Sequence, residues 1–176
     1  MEQRAAVDIA GRIRAIPDFP KEGILFRDIT PLLLDAEALR YAVDKLADYA
    51  QGKDAELIVG AESRGFILGA AMAYKLGIGF APARKPGKLP WKTISAEYAL
   101  EYGTDSLELH EDAIRPGMRV LVHDDLLATG GTASAKCELV ERLGGVVVGL
   151  AFIVELVGLH GRDKLPGYDI LSLVQY

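Results

Sequence analysis

A single cysteine is the first thing this sequence is short of. Cys137 cannot close an internal disulfide, and on a helix face it reads as a buried, inert thiol rather than a nucleophile. The three histidines, His110, His123 and His160, show no metal-ligand spacing, so a zinc site is unsupported. The longest stretch without a charge, Leu143 to Val154, falls well short of the roughly 18 or more apolar residues that a membrane helix needs. Basic residues are not in excess. With 20 Lys and Arg against 25 Asp and Glu the net charge is -5, and a nucleic acid would have to be held by a local patch against the overall field. The start, Met1-Glu2-Gln3-Arg4-Ala5, lacks the basic and apolar regions of a signal peptide. Glu2 and Asp8 also count against a transit peptide, so the expected location is the cytoplasm.

What is present is an ordinary globular composition, 50% hydrophobic and 26% charged over 176 residues. That length predicts one domain with a core that needs no disulfide or metal staple. Apolar residues at Ala6, Ile9, Ala10, Ile13 and Ile16 predict a short helix over 5–16, stopped by Pro17. Asp35 is placed to cap a long helix through Ala50 with the stripe Leu39, Ala42, Val43, Leu46 and Ala47. A strand at 57–60, a helix at 66–76 and a strand at 78–84 form one βαβ unit. A strand at 119–122, a helix at 133–143 and a strand at 146–156 form another. Between them lie a lysine-rich loop at 85–92 and a hairpin, Ser95 to Tyr102 and Asp105 to His110, joined across Gly103. The fold class is therefore α/β, a mainly parallel twisted sheet flanked by helices on both faces, with no internal repeat and no second domain.

In parallel sheets ligands bind at the carboxyl ends of strands, which directs attention to the loops after the apolar runs. One of these carries His123-Asp124-Asp125-Leu126-Leu127-Ala128-Thr129-Gly130-Gly131-Thr132. Its second half, Ala128 to Thr132, offers small residues and hydroxyls at a helix N-terminus, where free N–H groups and the helix dipole favour a phosphate. It is not a Walker loop, because no lysine follows the second glycine. Asp124 and Asp125 would repel that phosphate if they faced it. As acceptors they suit the 2′ and 3′ hydroxyls of a ribose 5-phosphate; the plainer alternative is that they cap the loop while the glycines make a tight turn. The second unusual loop is Ala61-Glu62-Ser63-Arg64-Gly65, again strand to helix.

The run Val120 to Thr132 resembles the phosphoribosyl diphosphate (PRPP) motif of the type I phosphoribosyltransferases. Further similarity, to the branch of that family that uses adenine, extends from Phe19 to Tyr176. It runs through Gly23-Ile24-Leu25-Phe26-Arg27-Asp28, Glu62-Ser63-Arg64-Gly65-Phe66, Arg84-Lys85-Pro86-Gly87-Lys88-Leu89-Pro90 and Leu100-Glu101-Tyr102-Gly103. His123 departs from the aliphatic residue common there and could add a titrating group near the site. The resemblance implies a type I phosphoribosyltransferase fold with an N-terminal helix and base-binding segment at 1–35 and a flexible hood over 85–103. It implies PRPP contacts from Ser63, Arg64, Arg84, Lys85, Lys88, Asp124, Asp125, Ala128, Thr129, Gly130, Gly131 and Thr132, with a cis peptide at Glu62-Ser63. Leu25, Phe26, Arg27 and Leu159 would enclose adenine, although on composition alone Leu25 and Leu159 are ordinary core residues. Glu101, Arg64, Asp124 and Asp125 would carry catalysis. Mg2+ would be bound mainly through PRPP, and a homodimer would let Arg84 reach the neighbouring site. Two rival readings are a phosphoribosyltransferase for another base and a PRPP-sensing regulator.

Overall fold

The computed structural model describes residues 7–99 and 103–176. Arg14–Pro17 (β1) and Leu25–Asp28 (β2) pair antiparallel, with Ile16 opposite Phe26. Thr30–Leu34 (α1), with Pro31 in its first turn, leads into the long helix Ala36–Gly52 (α2). Leu57–Ala61 (β3), Arg64–Leu76 (α3) and Gly79–Ala83 (β4) follow, then the hairpin strands Thr93–Ala99 (β5) and Thr104–His110 (β6). The chain closes with Arg119–Leu127 (β7), Gly131–Arg142 (α4), Val146–Glu155 (β8) and Ile170–Gln175 (β9). No helix among the described residues is long and apolar enough to cross a membrane.

The central sheet has the order β4-β3-β7-β8-β9, and every neighbouring pair is parallel. Successive residues of a strand face opposite sides, so both faces of a buried strand must be apolar. Ile58 and Leu121 pack with Leu46 of α2 and with Leu68 and Met72 of α3. Val59, Val120 and Val122 pack on the other side with Leu139 and Val140 of α4 and with Ala96, Leu107 and Leu109 of the hairpin. From the border between β3 and β7 the connections diverge, β3 crossing through α3 to β4 and β7 through α4 to β8. Right-handed crossovers that run in opposite directions place their helices on opposite faces. A crevice is left at the carboxyl ends of β3 and β7, the place where open α/β sheets bind ligands.

Both predicted βαβ units, the capped helix and the hairpin are present. Asp35 accepts from the N–H groups of Glu37 and Ala38 at 3.0 and 3.1 Å. The helix expected over 5–16 is a correction: its described part holds one 3-10 turn, Ala10–Arg12, and then β1. The Asp8 carboxylate takes the Gly11 N–H at 2.9 Å and caps that single turn, and Pro17 favours extended backbone at Ile16. Ile9 and Ile13 are nevertheless buried, so the apolar spacing marked the buried side chains but not the helix. Within 85–103, expected as a flexible loop, Thr93–Ala99 is a strand whose Ala96 is buried against the core. The strand expected at 119–122 runs on through Leu127, so the paired aspartates stand on strand rather than loop.

At the end of β8, the buried Glu155 carboxylate accepts from Arg162 Nε and Nη2, both at 2.7 Å, from Ser172 Oγ at 2.6 Å and from Gln175 Nε2 at 3.1 Å. The bonds from Arg162 lead in holding its pKa down at about 2. A carboxylate with a depressed native pKa contributes stability above its unfolded value, and that contribution is lost as the pH falls through the native one. Glu155→Gln should cost about 2 kcal/mol at pH 7. In urea titrations the gap to the parent protein should close between pH 4.5 and pH 2; a gap independent of pH would refute the charged role.

Candidate active site

The crevice between β3 and β7 is a cavity of about 260 Å³. One wall comes from the end of β3 and the start of α3 (Ala61, Glu62, Ser63, Arg64), and the floor and far wall from Asp124 to Ala133. Lys85, Tyr98 and Leu107 close it from the hairpin side. The parallel register sets Gly60 beside His123, so the loops leaving β3 and β7 emerge side by side.

The far wall ends in an anion cradle. Helix α4 starts at Gly131, and Gly130 before it has φ +83, a conformation that L side chains rarely adopt. Space demands the same residue, because a Cβ on Gly130 would run into the Gly161 carbonyl and one on Gly161 into the Ala128 carbonyl. Gly131, Thr132 and Ala133 of the first turn of α4 line the cavity next to Thr129, and the N–H groups of a first helical turn have no partner within the helix.

The floor is a pair of adjacent carboxylates flanked by a cation at each end. The Asp124 carboxylate accepts from Lys136 Nζ at 2.7 Å through Oδ2 and from the Asp125 N–H at 3.0 Å through Oδ1. Asp125 in turn pairs with Arg64 Nε at 2.9 Å. Gly65 makes room for this, since a Cβ there would lie 2.8 Å from Asp124 Oδ1. Burial, with the neighbouring Asp124 charge, pushes the Asp125 pKa up to about 7 against the pull of Arg64.

The wall beyond β3 is organised by Glu62, whose peptide bond to Ser63 is cis, as the resemblance implied. Its Oε1 accepts the Lys85 N–H at 2.6 Å, its Oε2 accepts from Lys88 Nζ at 3.0 Å, and Arg84 Nε lies 3.4 Å from Oε1. Burial works to raise the Glu62 pKa, but these bonds more than offset it and the net shift is downward. The three predicted cations are thereby separated. Lys85 lines the cavity, its ammonium on Asp105 and Tyr98, whereas Arg84 and Lys88 are turned onto Glu62.

Of the residues expected around a base, Phe26 lies against Arg64, whose guanidinium carbon is 5.1 Å from its ring centroid, with Phe19 edge-on at 5.1 Å. Arg27 stacks on Tyr176 at 3.6 Å. Leu25 and Leu159 are 48% and 46% exposed, so neither is the core residue that composition alone suggests. None of Leu25, Phe26, Arg27 and Leu159 lines the cavity itself. The Leu159 loop is tied to the site through the Leu156 N–H, which donates to the Leu127 carbonyl at 2.9 Å. Glu101 and Tyr102 lie outside the described residues. His123 is not a titrating group beside the site: it is fully buried, its Nδ1 lies 2.9 Å from the Ala151 carbonyl oxygen, and burial drives its pKa down to about 4. Cys137 is buried, which pushes its thiol up to about 12 and matches the inert reading.

Sequence reasoning missed Lys136, Glu62 as an organising group, and Tyr98. Lys136 carried a readable signal. It stands on the stripe Ala133, Cys137, Val140 of an otherwise apolar helix face, where a lysine has no place without a buried partner.

The phosphoribosyl transferase domain family matches residues 33–169. The adenine phosphoribosyltransferase of Clostridium perfringens is 57% identical over 170 residues, covering 97% of this chain and 99% of that one. A crystal structure of adenine phosphoribosyltransferase from Thermoanaerobacter pseudethanolicus is similar with a TM-score of 0.93 and 57% identity, over 96% of this chain and 98% of that one. Another, from Saccharomyces cerevisiae, complexed with D-2,5-dideoxy-2,5-imino-altritol 1,6-bisphosphate and adenine, gives a TM-score of 0.88 at 39% identity over 94% and 96%.

The two aspartates should respond oppositely to neutralisation. Asp124→Asn leaves a buried ammonium without its counter-charge and should cost about 3 kcal/mol. Asp125→Asn removes a carboxylate whose native pKa stands above the unfolded value of roughly 3.9, so the native state holds the extra proton and stability falls as the pH rises toward 7. Thermal unfolding at pH 8 should therefore find Asp125→Asn more stable than the parent, with the difference gone at pH 4. A destabilised Asp125→Asn at pH 8 would refute the electrostatic account.

Proposed function

The chain belongs to the phosphoribosyltransferase family, and from that premise we propose that it transfers the 5-phosphoribosyl group of PRPP to N9 of adenine, giving AMP and pyrophosphate in purine salvage. The observation that carries this reading is the crevice between β3 and β7, where an anion cradle and two carboxylates share the stretch Asp124 to Thr132. Relatives called adenine phosphoribosyltransferases, at up to 57% identity over nearly the whole chain, support adenine as the acceptor.

In this reading the 5-phosphate of PRPP sits on Ala128 to Thr132 and the ribose hydroxyls on Asp124 and Asp125. The pyrophosphate sits on Ser63, Arg64 and Lys85. Micromolar binding needs about -8 kcal/mol, whereas a helix terminus supplies at most about 2 kcal/mol per charge, so these cations are required. Lys88, paired with Glu62, is a reserve that joins the pyrophosphate when it arrives, and Arg84, paired with the same carboxylate, plays that part for the neighbouring subunit. Magnesium fits as an ion carried by the substrate. Among the described residues no group of three His, Cys, Asp or Glu side chains could hold it, and both pocket carboxylates are already paired, so PRPP oxygens would supply most of its ligands. Bound there, it neutralises charge on the leaving pyrophosphate.

Adenine lies on the opposite side of C1′, its ring between Leu25 and Leu159 with Phe26 packed beside it and backbone groups near Arg27 reading its edge. Buried acceptors facing the exocyclic amine would reject oxopurines, which carry a carbonyl there. The C1′–O bond to pyrophosphate breaks ahead of the new C1′–N9 bond, and the fixed carboxylates stabilise the positive charge on the ribose while Arg64 steadies the departing group. Glu101 hydrogen-bonds the purine and takes its proton as the N9 bond forms. Closure of the 85–103 hood, with Tyr102, keeps water from trapping the same cation. We place the enzyme in the cytoplasm as a homodimer in which Arg84 reaches the neighbouring site.

Pyrophosphate release from PRPP and Mg2+, with adenine, hypoxanthine, guanine, xanthine and orotate offered separately, tests the reading. Turnover is expected with adenine alone. Turnover with another base would discard the base assignment, and tight PRPP binding without turnover on any base would favour a sensor. Asp125→Asn should stay folded and lose roughly 100-fold in kcat; near-parental turnover would remove Asp125 from the ribose site.

A further inference from the structure

We infer that Lys136 is a positioning residue for phosphoribosyl transfer, holding Asp124 from inside the core in the one orientation that meets the ribose. The inference rests on the reading of Asp124 as a ribose acceptor. Lys136 is fully buried, alone among the lysines of the described residues. Its stem lies along the buried face of α4, and Nζ donates at one end only, to the His123 carbonyl at 2.8 Å and to Asp124 Oδ2 at 2.7 Å. Both acceptors belong to adjacent residues of β7, so the lysine pins the helix that begins at the phosphate cradle to the strand that bears the carboxylates.

Asp124 is held at both oxygens, Oδ2 by Lys136 and Oδ1 by the Asp125 N–H, with Gly65 packed against it. Its side chain cannot turn without breaking its charged bond to a fully buried ammonium. Asp125 is held differently. Its partner Arg64 is 37% exposed and sits at the head of α3, free to pass to an incoming pyrophosphate, whereas Lys136 has nowhere to go. The pair is thus divided into an immobile carboxylate with a permanent counter-ion and a second whose counter-ion the substrate can take. Lys136 does not line the cavity, so it acts on the reaction through the groups it holds, of which Asp124 is the one that lines the cavity.

The test is the full kinetic profile of Lys136→Met, which keeps the stem and removes the ammonium. Freed from Nζ, Asp124 should misalign, raising KM for PRPP about tenfold and lowering kcat, with KM for adenine unchanged. Lys136→Gln, which keeps a donor, should fall between the two. A folded Lys136→Met with parental kcat and KM for PRPP overturns the inference. So does a variant that loses only active fraction while both KM values stay parental, since that is the signature of a merely structural lysine. Should Lys136→Met fail to fold, the parent protein serves. The ammonium 15N resonance of this buried lysine, slow to exchange with water, should shift when Mg2+ and PRPP saturate the site; an unmoved resonance overturns the inference. Failure of the underlying reading looks different: a folded Asp124→Asn with parental KM for PRPP removes Asp124 from the ribose site whatever Lys136 does.

Discussion

Two neighbouring carboxylates can stand at the mouth of a buried parallel sheet only if each has a cation, and most of this site follows from where those cations come from. One rises through the core on α4 and the other swings in from the start of α3. Both aspartates are largely buried even at the crevice, so water relieves them only in small part. The divergence of the two crossovers at the border of β3 and β7 brings helices of opposite faces to the same crevice. That topology lets one cation come from each side.

The same economy governs the wall beyond β3. Glu62 gathers the Lys88 ammonium, the Arg84 guanidinium and the Lys85 backbone N–H onto one carboxylate, while the Lys85 ammonium is held on Asp105, so the basic loop stays compact despite mutual repulsion. An anion entering the crevice then competes with an internal carboxylate for cations already assembled, and few new side chains need be ordered from solvent. The hairpin body is part of this arrangement. Its Ala96, Leu107 and Leu109 belong to the core, and Lys85 is held through Tyr98 and Asp105.

Much of this was legible in the residues because it is written locally. Apolar runs of strand length, Asp35 before a helical stripe, and glycines beside hydroxyls at a helix start each carry their physics in a few consecutive positions. The N-terminal segment was misread because its spacing suited a helix. What decided it was the pairing of Arg14–Pro17 with a strand still to come. Strand β9, at the sheet edge beside β8, went unforeseen. In the site, the positions of the aspartates, Ser63, Arg64 and the cradle were readable, whereas their pairing was not. That Lys136 would meet Asp124, or that Glu62 would draw in the cations, depends on distances between elements that periodicity does not encode.

The contact between Gly130 and Gly161 has a consequence for how this architecture can change. The turn before α4 and the loop bearing Leu159 meet back to back at Gly130 and Gly161 with no side chain between them, so the two form one shared partition. Neither loop could be transplanted as an independent cassette. Unless the graft retains a glycine where the partition is thinnest, it would displace the start of α4 too, and a change selected in one loop is felt at once in the other.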